Sequence, residues 1–368
     1  MRQSPVKVNW KPLKGFTREV FIRVGMPPKD AEIEAEALIW ANLRGVDSHG
    51  VLRIPWYVDN ADKGVMNPKP NIRIEKETSA TLLIEADRAF GPVVTIMAMN
   101  RAMEKARKVG IGWVLIRNLT HQGALGFYSQ MAAKKDMAGI AFVCSPPNTA
   151  PYGAKAAGVH NSPIAISVPA KHHRPLNLDM ATSVAAGGKI WLAIDKSIPI
   201  PEGWALDKDG NPATDPSKVA CYLPAGGFKG SGLALMFECL SSVMVGNPLL
   251  EPMLLGREIE PQAQGEKATT AGVPPRYVGR NMQNSIVAAI DISMFTDVES
   301  YKEHIDNLID GIKALPKADG FDEIFVPGEP EERTFDERFK SGIPLPEGTV
   351  RNLRSIAERL GIKLPPGL

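Results

Sequence analysis

Cysteine is scarce in this chain: three in 368 residues, Cys144, Cys221 and Cys239, odd in number and far apart. That excludes a disulfide framework and a cysteine zinc cluster, and it fits a reducing compartment. Charge of one sign is also missing. Lys and Arg number 43 against 41 Asp and Glu, a net charge of +2, so there is no basic surplus for a nucleic-acid partner. No apolar run approaches the length that spans a bilayer, so no membrane partner is expected. Met1 to Trp10 has neither an apolar run nor a small-residue cleavage site; no secretory leader is expected, and the expected location is the cytoplasm. Asn118-Leu-Thr120 matches a glycosylation sequon, which means little without secretion.

The common nucleotide and metal signatures are absent too. There is no Gly-x-Gly-x-x-Gly and no His-Glu-x-x-His. Ala186-Gly-Gly-Lys189 resembles the end of a phosphate-binding P-loop, but Ile190 stands where Ser or Thr would hold magnesium, and the first glycine is missing. His172-His173, between Lys171 and Arg174, reads as an exposed turn. No internal repeat or low-complexity segment is present, and no metal site is expected.

What remains is an ordinary globular composition, 44% hydrophobic and 23% charged, on a chain long enough for two or three domains. Thr17 to Val24 is a short amphipathic run. After Pro27-Pro28, Asp30 is placed to cap a second helix, with Ile33, Ala37, Trp40 and Ala41 at helical spacing. From residue 80 strands and helices mix. Strands are expected over Thr81–Glu85, Trp113–Arg117, Gly139–Cys144, Ile164–Pro169, Leu176–Asp179 and Ser285–Ile292. Helices are expected over 93–108, 124–135, Ser183–Ala193, Gly230–Val245 and 299–313. Residues 197–218 read as a long surface loop and 247–284 as irregular, a candidate lid. The class is α/β or α+β.

Four motifs carry chemistry. Ser48-His49-Gly50-Val51-Leu52-Arg53 follows the second helix. A histidine beside a serine, with glycine permitting close backbone approach, suits proton transfer near neutral pH. Were the segment helical, His49 and Arg53 would share a face, with Arg53 forked onto a carboxylate and His49 serving the adjacent oxygen. A dipole-stabilised histidine and a solvated arginine at a helix end are the structural alternative. Thr120-His121-Gln-Gly123 follows a strand, where α/β folds place catalytic groups, although a turn histidine capping the next helix would look the same. Leu178-Asp179-Met180-Ala181-Thr182-Ser183 reads as a strand-to-helix junction, either an ordinary cap or a set of backbone donors for a pyrophosphate. Gly226-Gly227-Phe228-Lys229-Gly230 is either a flexible loop or a glycine-rich approach to an anion. None is specific alone.

Their order is specific. The Ser-His-Gly box, the run Thr-His-x-Gly-Ala-Leu-Gly-Phe-Tyr at 120–128, Ser145-Pro-Pro, Pro151-Tyr-Gly153 and Asn161-Ser-Pro163-Ile-Ala165 come first. Leu178-Asp-Met-Ala-Thr182, Ile200-Pro-Glu-Gly-Trp204-Ala-Leu-Asp207, Gly226-Gly-Phe-Lys229-Gly, Pro327-Gly-Glu-Pro330 and Gly342-Ile-Pro-Leu345 follow. The series resembles the type 2 malate/L-lactate dehydrogenase family, with its ureidoglycolate, sulfolactate, diketogulonate and cyclic-imine branches, over roughly residues 10 to 350.

The resemblance implies a mixed α+β fold of the broad α/β class. Its nicotinamide-binding domain is not a Rossmann fold, which accounts for the missing fingerprint, and its sheet is mostly antiparallel beside a helical N-terminal region. It implies residues 1–76 as that helical region, 77–120 with 285–368 as a substrate and dimerisation domain, and 121–284 as the nicotinamide-binding domain. Homodimers with the active site near the interface are implied as well. His49 and His121, with Ser48, map onto the catalytic positions, and Arg53 is assigned to the substrate carboxylate. Ser145, Asn161, Pro163, the strand Leu176, Asn177, Leu178, Asp179, Met180 and Ala181, the pair Phe228-Lys229, and Gly328-Glu329 map onto cofactor contacts. The implied reaction is hydride transfer between NAD or NADP and a small 2-hydroxy acid. No arginine pair marks a 2′-phosphate, so NAD is favoured. Asn161-Ser162-Pro163 departs from the common Thr-Asn-Pro, and Gly279-Arg280-Asn281-Met282-Gln283 stands nearer the ureidoglycolate branch. Reduction of a cyclic imino acid is the nearest rival, and a non-catalytic binding protein is a rival of another class.

Overall fold

A computed structural model describes residues 6–257 and 282–368. The part of the candidate lid at 258–281, with Gly279-Arg280-Asn281, lies outside the described residues.

Helices α1 (Trp10–Arg23), α2 (Pro28–Leu43) and α3 (Ile54–Asp62) open the chain. Pro27 is the N-cap of α2 and Asp30 lies in its first turn, so the expected Asp30 cap is corrected. Pro28 fits there because its missing N–H is one that a first turn leaves unpaired anyway. These helices bury Phe21, Leu38, Tyr57 and their neighbours in one apolar cluster. The chain's end completes that cluster: strand β1 (Val6–Val8) pairs antiparallel with Ile343–Leu345, and the helix Glu347–Leu360 adds Leu353 and Ile356.

The second layer is a seven-stranded sheet. In chain order its strands are β2 (Arg73–Glu77), β3 (Thr81–Glu85), β4 (Ile111–Leu119), β5 (Met137–Cys144), β6 (Ile164–Val168), β7 (Leu176–Met180) and, numbered β10, Gln283–Asp291. The two-residue strands β8 (Ala205–Leu206) and β9 (Cys221–Tyr222) pair with each other. The order across the sheet is β2-β3-β4-β10-β5-β6-β7. Every neighbouring pair is antiparallel except β3–β4, which α4 (Gly91–Val109) joins as a crossover. Gly110, at φ 89°, ends α4, a backbone state open to glycine without a Cβ penalty.

Central β10 is buried on both faces. Val287 and Ala289 pack with α4 and α5 (Gly126–Ala133), while Ile286 joins Phe142 and Phe237 on the other side. Edge strand β7 pairs on one side only, with β6, and its free edge faces the site described below.

Two expected helices shift. The one expected from Ser183 starts at Gly187 (α6, Gly187–Lys196); Ser183 instead forms an isolated bridge with Pro224. The one expected over Gly230–Val245 starts at Phe228 (α7, Phe228–Glu238) and widens into a π turn over Cys239–Val243. Glu251–Leu254 forms a one-turn helix, α8. After α9 (Val298–Lys313), the helices α10 (Glu329–Ser341) and α11 (Glu347–Leu360) had no sequence expectation. Asn118 and Thr120 of the sequon are buried in the sheet, which removes it as a glycosylation site. No described helix is long and apolar enough to cross a membrane.

Candidate active site

A cleft of about 1070 Å³ opens between the N-terminal helices and the free edge of β7. The Ser-His-Gly box forms one wall, but not as the helix that would have put His49 and Arg53 on one face. Two 3₁₀ turns, Asp47–His49 and Val51–Arg53, meet at Gly50. A Cβ on Gly50 would collide with the Asn42 side chain. That side chain is committed, since Asn42 Oδ1 accepts the Val51 N–H at 2.8 Å and Asn42 Nδ2 donates to Asp47 at 2.7 Å. The double turn still brings His49 and Arg53 to the cleft together.

Arg53 is half-buried. Its Nε donates to the Ser48 carbonyl at 2.7 Å, and its guanidinium lies 4.5 Å from the Trp191 ring centroid. Among the described residues no carboxylate pairs with it. A cation held in place without a counter-charge on the wall of a cleft is ready for an anionic ligand.

His49 Nδ1 lies 2.9 Å from Ser48 Oγ. A Cβ on Gly188 would strike the Ser48 side chain, so the start of α6 can press against the box only with glycine there. His121, in the loop after β4, stacks on His49 with ring centroids 5.4 Å apart and planes 12° apart. Its Nδ1 faces two groups: the Tyr57 hydroxyl at 2.6 Å and the Gly123 N–H at 3.3 Å. Since the amide can only donate, Nδ1 is an acceptor and the neutral ring carries its hydrogen on Nε2. Burial, then the Arg53 charge, lowers the pKa of both rings, to about 3 for His49. Both histidines are therefore neutral at neutral pH.

The opposite wall carries Asn161, Pro163, Asn177, Leu178, Asp179, Met180, Ala181 and, beyond them, Gly328. Asp179 opens to the cleft yet is hemmed in by protein, which raises its carboxyl to about 6; its Oδ2 accepts the Gly126 N–H at 2.8 Å. Thr182 spends its N–H on the Asn161 carbonyl at 2.9 Å, so the pyrophosphate reading of a helix start at Thr182-Ser183 is corrected.

Other expected contacts are not brought to this cleft. Ser145 is buried at the end of β5 and does not line it. Leu176 and Glu329 line a second, smaller pocket of about 230 Å³, which shares Gly328 with the cleft. Glu329 pairs with Lys313 and Arg333. Phe228, 64% exposed, and Lys229 stand on the surface at the start of α7, beside Tyr152. Among the described residues no cluster of metal ligands occurs.

Sequence reasoning missed Tyr57 and His160. Tyr57 has no motif and is found only through its bond to His121. His160 lines the cleft next to Asn161 and was overlooked because a lone histidine in a loop carries no spacing signal.

The sequence model of the malate/L-lactate dehydrogenase family matches residues 8–354. The chain belongs to this family. It is 39% identical to the L-sulfolactate dehydrogenase of Methanocaldococcus jannaschii over 94% of this chain and 95% of that protein. The solved structure of sulfolactate dehydrogenase from that organism superposes with a TM-score of 0.82, covering 97% of this chain and 98% of the other. Malate dehydrogenase of Pyrococcus horikoshii is 35% identical over 98% and 97% of the two sequences, and its structure superposes with a TM-score of 0.84 over 99% and 97%. A ureidoglycolate dehydrogenase of Escherichia coli O157:H7 is 30% identical over 96% of each sequence. The expected family, the mixed fold with its mostly antiparallel sheet and the hydroxy-acid oxidoreductase activity are thereby established.

Proposed function

We propose that the cleft interconverts a small 2-hydroxy acid of the malate or sulfolactate kind with its 2-oxo acid, and that its two histidines have different duties. The observation that carries this reading is the difference in their hydrogen bonds. His121 is held in one tautomer by two donors on Nδ1, so it offers Nε2–H to the substrate C2 oxygen and orients it. His49 has only the Ser48 hydroxyl on Nδ1, which can donate or accept. With Nδ1–H donating to Ser48, the free Nε2 of His49 takes the substrate hydroxyl proton; in reduction the imidazolium returns it. Arg53 grips the carboxylate and so aligns C2. That carboxylate also offsets the Arg53 charge that disfavours the imidazolium.

A nicotinamide dinucleotide, when bound, accepts or supplies the hydride at C2. The cleft fits such a group in volume and in its edge-strand wall, with Asn161, Pro163 and Leu178 to Ala181 as the holding residues. In this reading residues 121–284 form the cofactor domain, with Ser145, Leu176, Phe228, Lys229 and Glu329 as outer contacts. NAD is favoured over NADP. Around the smaller pocket Arg174, Lys313 and Arg333 are each already paired with carboxylates, which serves a 2′-phosphate poorly.

A homodimer in the cytoplasm completes the proposal. Trp191 and Leu192 on α6, Leu235 and Met236 on α7, and Val243 and Met244 at the end of the π turn are all exposed, apolar side chains that a second copy of the chain would cover. Sedimentation should give twice the 39.9 kDa chain mass; a monomer would refute this part. The reaction is tested by NADH and NADPH oxidation against a panel of 2-oxo acids and cyclic imino acids. Turnover of oxaloacetate or sulfopyruvate supports the reading, and turnover of the imines alone overturns it.

A further inference from the structure

Three histidines reach the cleft, and the roles above use two. His160 is 7% exposed and lines the cleft. Its Nδ1 accepts the Ser162 N–H at 3.1 Å, which leaves the ring hydrogen on Nε2. Among the described residues nothing accepts that N–H. Burial lowers the ring's pKa to about 3, so it is a donor without charge. That N–H is not sealed in the interior but opens to the cleft, and a few well-placed polar groups are what orient a ligand in a pocket.

We propose that His160 orients the cofactor by donating its Nε2–H to the carboxamide oxygen of the nicotinamide ring. The proposal rests on the nicotinamide reading above. Its position is firmly held. The Asn161 N–H donates to Asn148 Oδ1 at 2.8 Å, the Asn148 amide donates to Asn161 Oδ1 at 3.1 Å, and the Asn161 carbonyl accepts Thr182 N–H at 2.9 Å. These bonds fix His160 to the wall that Leu178 to Ala181 form, and within electrostatic reach of His121. The carboxamide hangs from the ring carbon next to the one that exchanges hydride, so its donor must stand close to the reacting histidines. An uncharged donor suits an amide oxygen, whereas the substrate carboxylate has a cation in Arg53.

The test compares His160→Leu and His160→Gln in the full chain, with folding of each checked by circular dichroism. Binding of NADH, ADP-ribose and the thionicotinamide analogue is titrated by calorimetry. His160→Leu should weaken NADH roughly three- to tenfold, the worth of one hydrogen bond, and leave ADP-ribose unchanged. The wild-type preference for oxygen over sulfur should shrink in the same variant. His160→Gln, which keeps an N–H donor, should recover part of both, and it alone carries the test if the leucine variant fails to fold. Equal losses for NADH and ADP-ribose would reduce His160 to packing and overturn the proposal. Unchanged NADH binding with a raised KM for the oxo acid would move the donor to the substrate and overturn it too. If the wild type binds neither NADH nor NADPH, the nicotinamide reading itself fails.

Discussion

Replacing Arg53 with alanine removes a cleft cation, beside the two histidines, that has no carboxylate partner among the described residues. The loss within the protein is small: one bond to the Ser48 carbonyl and a stacking contact on Trp191. The loss to a bound 2-oxo acid is larger, because a charge-assisted pair in a partly dry site contributes roughly 2–4 kcal/mol. That corresponds to about thirty- to several-hundredfold in kcat/KM. The pair exists in ground state and transition state alike, so the change should fall mainly on KM. Arg53→Lys should recover only part, since an ammonium cannot fork onto a carboxylate. Steady-state kinetics on the acid and on its uncharged amide separate the possibilities. The amide should be turned over poorly and about equally by wild type and variant. An equal fall on acid and amide would make Arg53 structural and remove the carboxylate grip.

His49→Ala should lower kcat by roughly a hundredfold or more, with NADH affinity kept; an unchanged kcat removes His49 from proton transfer. Tyr57→Phe deletes the 2.6 Å bond on His121 Nδ1 and should lower kcat about tenfold, the worth of one oriented bond. The double variant with His121→Ala should be no worse than His121→Ala alone, whereas additive losses would mean that Tyr57 does not act through His121. Because burial and Arg53 lower His49 to about 3, His49 should add no limb to kcat/KM for hydroxy-acid oxidation as pH falls from 8 to about 5; a limb near 6.5 that persists in Asp179→Asn, which removes the carboxyl raised to about 6, would show that the ring titrates normally. Stability should move differently. His160 stays neutral in the fold, with a pKa of about 3, while the unfolded ring takes a proton below about 6.5. The His160 contribution to stability is therefore full above about 6.5 and falls with pH by up to about 1.4 kcal/mol per unit. Urea unfolding at pH 6.5 and 5 should show a shallower fall in His160→Gln, and an identical fall would contradict the shift.

The parts of the fold that local pattern determines were legible. Thr81–Glu85 is a strand with the expected limits, and Gly110 ends its helix as expected. Where the helix over 183–193 was expected, small residues suited a helix, but Ser183 and Val184 spend their backbone groups on the 223–224 segment. The exposed strand Arg73–Glu77 has no apolar alternation and was invisible for that reason. The charged helix α10 is mostly exposed and carries only Glu332 fully buried, so it too offers little periodicity. In the site, His49, Arg53 and His121 came from motif order, and the cleft brings them together. Tyr57 and His160 depend on contacts between distant segments, 64 residues apart for the Tyr57–His121 bond, and no local signal encodes such a contact.

The central claim is hydride transfer to C2 within this cleft. The direct measurement uses NADH deuterated at C4 with a 2-oxo acid, and product analysis by NMR. One deuterium at C2 of the hydroxy acid, on one face only, and a rate of incorporation that collapses in His49→Ala are the expected results. Product without deuterium from either face of the labelled ring, or incorporation at an undiminished rate in the His49 variant, would contradict the account.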